Sequence, residues 1–182
     1  MSRIPLTSIE EQPEPIRRWM ERRGSLDVFR LLANAPAVFV GWTHMVDELF
    51  ESSTFSPRLR EVVILRVARL QNSRYELGQH IGIARRTGLT DQQIGAIVET
   101  DDLDAVDFSA TERLVLDVVT ELCTTRRLSD DAFAAASAEL GDEALTELLM
   151  LVSCYYGLAL VLNAADLDVD AEARFREEGD DR

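Results

Sequence analysis

The chain has 182 residues, of which 46% are hydrophobic, so it is long enough and apolar enough to form a globular domain. Its 33 acidic residues outnumber its 19 basic ones, and the formal net charge of −14 argues against a duplex nucleic-acid binder, which needs a basic face. The first 25 residues carry four glutamates and no apolar run, so no signal peptide is expected. Two cysteines in apolar contexts, Cys123 and Cys154, form neither a disulfide framework nor a zinc site and favour a reducing cytoplasm.

Apolar spacing and capping signals predict an all-α chain. Ser56-Pro57, for example, is an N-cap followed by proline at the first helical position, and Asn72 breaks the helix that follows. No segment alternates with period two for long enough to form a strand. We therefore expect a bundle of about eight or nine helices. They run from Ser25 to near Pro36, 37 to 51, 57 to 70, 73 to 88, 91 to about 99, 109 to about 126, 129 to 141 and 142 to about 165.

Three segments match the capping-box pattern, in which a side chain at the N-cap and one three residues later satisfy each other's backbone amides. They are Ser73-x-x-Glu76, Thr90-x-x-Gln93 and Ser109-x-x-Glu112. The longest apolar stretch, residues 148–162, is shorter than the roughly 20 residues needed to cross a bilayer. It is interpreted as a buried helix or an oligomer seam, and no membrane partner is expected.

The chain divides into residues 1–24 as an N-terminal arm, 25–166 as the helical domain and 167–182 as an acidic C-terminal tail. Four arginines of the arm alternate with glutamates, which is typical of a solvated helix face. These are Arg17, Arg18, Arg22 and Arg23.

The candidate site combines residues of two successive helices. Glu76 and His80 are four residues apart and share one helix face, with Ser73 one turn earlier. A tight turn at Gln71-Asn72 would fold the preceding helix back, so that Glu61 could reach His80. An imidazole beside a carboxylate can transfer protons near neutral pH.

Each of these residues also has a structural interpretation. Ser73 and Glu76 could serve only as a capping box, and Glu61 could pair with an arginine on or near its own helix. Tyr75 could stack on a ligand, donate a proton or simply pack. Glu61, Glu76 and His80 could also supply metal ligands, but zinc sites favour more histidine or cysteine, so no metal is expected.

The stretch from Arg58 to Leu89 reads RLREVVILRVARLQNSRYELGQHIGIARRTGL. It resembles the core of the carboxymuconolactone decarboxylase-like family, which includes the alkylhydroperoxidase D proteins, and the resemblance extends over roughly residues 25–165. In the redox members the stretch carries a glutamate, then Cys-x-x-Cys, then three residues and a histidine. Glu61 and His80 match that glutamate and histidine, whereas Ser73 and Glu76 occupy the two cysteine positions.

The resemblance implies an alkylhydroperoxidase D-like helical bundle that assembles into trimers or hexamers, with sites near subunit interfaces. Thiol peroxidase chemistry needs the missing cysteine pair, so we expect acid–base chemistry of the decarboxylase type instead. The predicted function is cofactor-free decarboxylation or isomerisation of a small carboxylated or lactone metabolite. His80 and Glu61 would be catalytic, and Ser73, Tyr75 and Glu76 would bind substrate.

Two other functions stay open. The chain could be a non-catalytic scaffold or small-molecule binding protein of the same fold, because a capping box in place of the cysteines would preserve the helix without the chemistry. A peroxidase that uses Cys123 and Cys154 is a weaker alternative.

Overall fold

The computed structural model describes residues 2–100 and 102–170. Within these ranges the chain is helical and contains no strand. The helices are α1 (Glu14–Arg23), α2 (Asp27–Leu32), α3 (Pro36–Glu51), α4 (Pro57–Leu70), α5 (Arg74–Arg86), α6 (Asp91–Gly95), α7 (Ala110–Thr125) and α8 (Asp130–Ala165). A π-helical turn, Ala96–Thr100, extends α6, and a 3₁₀ turn, Leu103–Ala105, precedes α7. The all-α class and the number of helices are thereby confirmed.

The fold is organised around α4, which contacts α5, α7 and α8. Nine consecutive α4 residues, 60–68, are buried, so this helix is enclosed on every side. Three of the nine are charged, namely Arg60, Glu61 and Arg66. Because a buried charge is costly without a partner, these side chains need contacts with the surrounding helices.

The turn between α4 and α5 folds the two helices against each other. Asn72 adopts a left-handed conformation with φ of 52°, which asparagine tolerates better than most residues. The Ser73 amide then donates a hydrogen bond back to the Ala68 carbonyl over 2.9 Å. The turn expected at Gln71-Asn72 is therefore present.

A break at Gly141 divides α8 into two helical parts. Gly141 has φ of 73° and ψ of 171°, which is not helical and which a side chain would disfavour. The predicted boundary between a helix ending at Leu140-Gly141 and a final long helix is confirmed. By length and composition α8 could cross a membrane, but a core helix passes the same test, and the α8 residues around Leu148, Leu151 and Tyr155 lie in the core.

The N-terminal arm contributes to the core of the bundle. Its helix α1 buries Ile16, Trp19 and Met20 in the main hydrophobic cluster. Trp19 meets the edges of the Phe29 and Phe39 rings at centroid distances of 4.7 and 5.5 Å. Residues 14–23 are thus packed with the helical domain.

The start of the C-terminal tail lies across α5. A Cβ atom on Gly78 would come within 2.7 Å of the Val169 side chain, so this approach depends on glycine. Residues 171–182 of the predicted acidic tail lie outside the described residues.

Two of the three predicted capping boxes are confirmed and one is wrong. Those at Thr90 and Ser109 have both of their hydrogen bonds. At Ser73 the side chain makes no cap bond, and the Ser73 backbone amide that Glu76 would satisfy donates to the Ala68 carbonyl instead. Glu76 is therefore left for another role.

Replacing the cap at Ser109 with alanine is expected to lower the free energy of unfolding by about 1 kcal/mol, because α7 loses a hydrogen bond to its first turn. Chemical denaturation measures this change. Ser73→Ala is the matched control and should cost nothing comparable, since the Ser73 hydroxyl caps no amide. An equal loss of unfolding free energy in Ser109→Ala and Ser73→Ala would contradict the conclusion that only Ser109 caps its helix.

Candidate active site

The centre of the site is a hydrogen bond between α4 and α5. His80 Nδ1 lies 2.8 Å from Glu61 Oε2, and Glu61 is only 1% exposed. An ionised carboxylate can only accept hydrogen bonds, so Nδ1 carries the hydrogen in this contact. Nε2 then has a free lone pair, and it has no hydrogen-bond partner among the described residues. The sequence indicated only that Glu61 could reach His80, and the structure shows that the two side chains are in contact.

A cavity of about 210 Å³ opens beside His80. Its lining is mainly apolar and includes the rings of Trp19, Phe29, Trp42 and Phe50. The polar residues of its wall are Arg23, Tyr75, Glu76, Gln79, His80 and Tyr155. The volume is below the range of roughly 300–1,000 Å³ that is usual for drug-sized ligands, so the cavity suits a small molecule.

A larger groove of about 950 Å³ lies between α3 and α8 but is more open. Its polar lining consists of acids, serines and threonines, with neither histidine nor a basic residue. No acid–base pair comparable to Glu61 and His80 lies there. The smaller cavity is therefore the better candidate for chemistry.

Glu76 is the most unusual group of the cavity wall. It is 2% exposed, and neither carboxyl oxygen has a hydrogen-bond partner of good geometry among the described residues. Burial raises the pKa of Glu76 to about 7; the nearby Ser73 hydroxyl and His80 oppose this shift without cancelling it. Near neutral pH Glu76 is consequently present in both its protonated and its ionised form.

Of the predicted substrate contacts Ser73 and Tyr75, only Tyr75 lines the cavity. Ser73 is fully buried and does not line the cavity. Tyr75 lines it with its ring, but its hydroxyl accepts a hydrogen bond from the Val28 amide over 3.2 Å and donates one to Asp170. Gln79 also donates to Asp170, over 2.6 Å. Tyr75 therefore ties α5 to α2 and to the C-terminal segment.

Three polar cavity residues were missed by sequence reasoning, namely Arg23, Gln79 and Tyr155. Tyr155 of α8 meets the His80 ring edge to face at 5.3 Å and holds its orientation. Arg23, which was assigned to a solvated face, stacks near the Trp19 ring and pairs with Asp47 over 2.6 Å. For Tyr155 the sequence offered one signal, a tyrosine inside a very apolar helix. For Arg23 nothing local distinguished it from its neighbouring arginines.

Both cysteines lie in the core and are poorly suited to thiol chemistry. Cys123 and Cys154 are 3% and 6% exposed. Burial raises the pKa of each thiol to about 11, so very little thiolate exists at neutral pH. Neither residue takes the place of the missing pair.

The described residues contain no group of three or more histidine, cysteine, aspartate or glutamate side chains arranged to hold a metal ion. Glu61 Oε2 is already engaged by His80. Arg85 and Arg86, at the end of α5, do not line the cavity, and Arg85 pairs with Asp91 over 2.8 Å.

The sequence matches the model of a known protein family. The model of the carboxymuconolactone decarboxylase family matches residues 36–121, a range that includes α4, α5 and the Glu61–His80 pair. No curated protein matches the sequence significantly.

Solved structures share the fold over almost the whole chain. An alkylhydroperoxidase AhpD core, an uncharacterised peroxidase-related protein from Ralstonia eutropha JMP134, aligns with a TM-score of 0.82 and 18% identity over 94% of each chain. A peroxidase-related protein from Silicibacter sp. TM1040 aligns with a TM-score of 0.80 and 15% identity over 93% of this chain and 91% of that one. A variant of the debrominase Bmp8 in complex with 2,3,4-tribromopyrrole aligns with a TM-score of 0.78 and 17% identity over 97% and 96%. At these identities the likeness concerns the fold alone.

Replacing Glu76 with glutamine should change how stability depends on pH. The raised pKa means that the folded chain holds this proton more tightly than the unfolded chain. The contribution of Glu76 to the free energy of unfolding is therefore greatest below about pH 4.5 and is lost as pH rises to about 7. Glu76→Gln removes this loss, which is worth up to about 3 kcal/mol. Denaturation of both proteins at pH 5 and pH 8 measures it. A constant difference between them would contradict the raised pKa.

The two thiols should be unreactive in the folded protein. A colorimetric disulfide reagent at pH 8 is expected to titrate neither Cys123 nor Cys154 within minutes, and to titrate both in denaturant, because burial withholds the thiolate. Rapid reaction of either thiol in the native state would overturn this expectation. Each single cysteine-to-serine variant assigns the reaction to its residue.

Proposed function

We propose that this chain, which belongs to the carboxymuconolactone decarboxylase-like family, is an enzyme in which His80 and Glu61 transfer protons. The substrate would be a small carboxylated or lactone metabolite that undergoes decarboxylation or isomerisation without a cofactor. The observation that carries the proposal is the 2.8 Å contact between His80 Nδ1 and Glu61 at the wall of a mainly apolar cavity.

The pair is built to act on a proton at carbon. Glu61 accepts the Nδ1 hydrogen, so the lone pair of Nε2 is the basic site of the ring. When Nε2 takes a proton, the neighbouring Glu61 carboxylate stabilises the imidazolium. The mainly apolar walls lower the local polarity, which strengthens this attraction.

A second candidate function is small-molecule binding without chemistry. The mainly apolar cavity favours it, as does the Tyr75 hydroxyl, which is engaged by the chain itself. Stabilisation by a ligand that is never converted to product would support this function. Peroxidase activity through Cys123 and Cys154 has less support, because both thiols are buried and protonated.

Assembly and location also belong to this proposal. Apolar side chains stay exposed on α3 and α8, among them Val38, Val40, Leu160 and Val161. Such a surface suits the homo-oligomer, a trimer or hexamer, that the family resemblance implies. A cytoplasmic location remains a prediction from the two free cysteines.

Replacing His80 with glutamine should abolish turnover while the fold persists. General acid–base groups typically contribute 10²- to 10⁴-fold in rate, so kcat should fall by roughly that factor. The assay follows product formation by NMR over a panel of small lactone acids. His44→Gln is the matched control, because His44 is exposed on α3 and should have no effect. Full activity in His80→Gln would refute the proposal.

A further inference from the structure

Glu76 has no structural partner that accounts for its burial. A carboxyl group removed from water is normally paired or hydrogen-bonded, because leaving it unsatisfied costs a substantial part of its hydration energy. Neither Glu76 oxygen has a hydrogen-bond partner of good geometry among the described residues, although the Ser73 hydroxyl lies nearby, and the group borders the cavity. The cavity therefore leaves room for a bound molecule to supply the missing hydrogen bond.

Burial, and not its polar neighbours, favours the neutral form of Glu76. The Ser73 hydroxyl and His80, on the same helix, favour its anion, while Cys154 and Tyr155 approach from α8 as buried, neutral side chains. Among the described residues of the cavity wall the one lysine or arginine is Arg23 of α1, which pairs with another carboxylate. Burial outweighs Ser73 and His80 and raises the pKa of Glu76 to about 7.

We infer that Glu76 is a second catalytic residue, which donates its carboxyl proton to the carbonyl oxygen of a small uncharged ring ketone or lactone. This inference rests on the proposed function, because His80 supplies the base. It also narrows that function, since a substrate with a free carboxylate would find no unpaired cation in the cavity wall.

Glu76 and His80 line the cavity from one face of α5. At positions i and i+4 of one helix, Glu76 and His80 have Cβ atoms about 5–6 Å apart. A carbonyl oxygen and the carbon next to the carbonyl group can fit between two side chains at this spacing. A ring of five or six atoms fits a cavity of about 210 Å³, and aromatic residues such as Trp19 and Trp42 can cover its faces.

The step balances without any co-reactant. His80 Nε2 takes a proton from the carbon next to the carbonyl, and the electrons of that C–H bond form the double bond of an enol. The carbonyl π electrons take the proton of Glu76. The products are an imidazolium, a carboxylate and a neutral enol. When the imidazolium N–H first exchanges with solvent, return of the new proton or deuteron to the same carbon gives exchange. Its return to the far end of a conjugated system gives an isomer.

The first test uses cyclohex-2-enone in D₂O, with deuterium incorporation into carbon followed by NMR. The wild-type protein should catalyse exchange, and Glu76→Gln should lower the rate at least about 100-fold, as expected for loss of a general acid. His80→Gln should abolish exchange, and His44→Gln should leave it unchanged. Exchange that is unaffected by Glu76→Gln overturns the inference alone, whereas exchange that survives His80→Gln overturns the proposed function. No exchange by the wild-type protein overturns the substrate class.

The second test separates binding from proton transfer. Trp19 and Trp42 line the cavity, so quenching of tryptophan fluorescence reports on cyclohex-2-enone binding. Affinity of the wild-type protein should fall at least about tenfold between pH 6 and pH 8.5, because ionised Glu76 can no longer donate a hydrogen bond. Glu76→Gln keeps an N–H donor and should bind with little dependence on pH. Benzoate should bind more weakly than the ketone at pH 6. A pH dependence that persists in Glu76→Gln, or tighter binding of benzoate, overturns the inference.

Discussion

The hydrogen bond between Glu61 and His80 is the contact on which the site depends. Glu61 lies on a helix that is buried on every side, so its carboxylate can be tolerated only with a partner beside it. That partner comes from the next helix, which must fold back within the two residues Gln71 and Asn72. The site is consequently part of the centre of the bundle, and α8 closes it from the other side through Tyr155.

Glu76 lies where the redox members of the family that the sequence resembles carry a cysteine. Here that position holds a carboxyl group with no hydrogen bond of good geometry among the described residues and almost no solvent contact. Burial would make a thiol a poor nucleophile, but it raises the pKa of the carboxyl group so that part of it stays protonated near neutral pH. The same buried environment therefore disfavours nucleophilic attack by a thiol and favours proton donation by a carboxyl group. A protein can change its reaction in this way while keeping the helices that hold the site.

Much of the fold could be predicted because its signals are local. N-caps at Ser56, Thr90 and Ser109 and the break at Gly141 act within a few residues, and each is present in the structure. The capping box at Ser73 was a wrong prediction for a non-local reason. The amide that the box would satisfy is bonded to the preceding helix across the turn, and this frees the Glu76 carboxyl from a capping role.

The sequence by itself determined the all-α class, most helix boundaries, the absence of the cysteine pair and the candidate pair of Glu61 and His80. Only the tertiary structure decided that Arg23 and Tyr155 reach the same cavity and that Glu76 is buried without a partner. The physical reason is the distance along the chain over which each property is determined. Helix formation and capping depend on neighbours within about four residues, whereas burial and the pKa of a carboxyl depend on helices far apart in the chain.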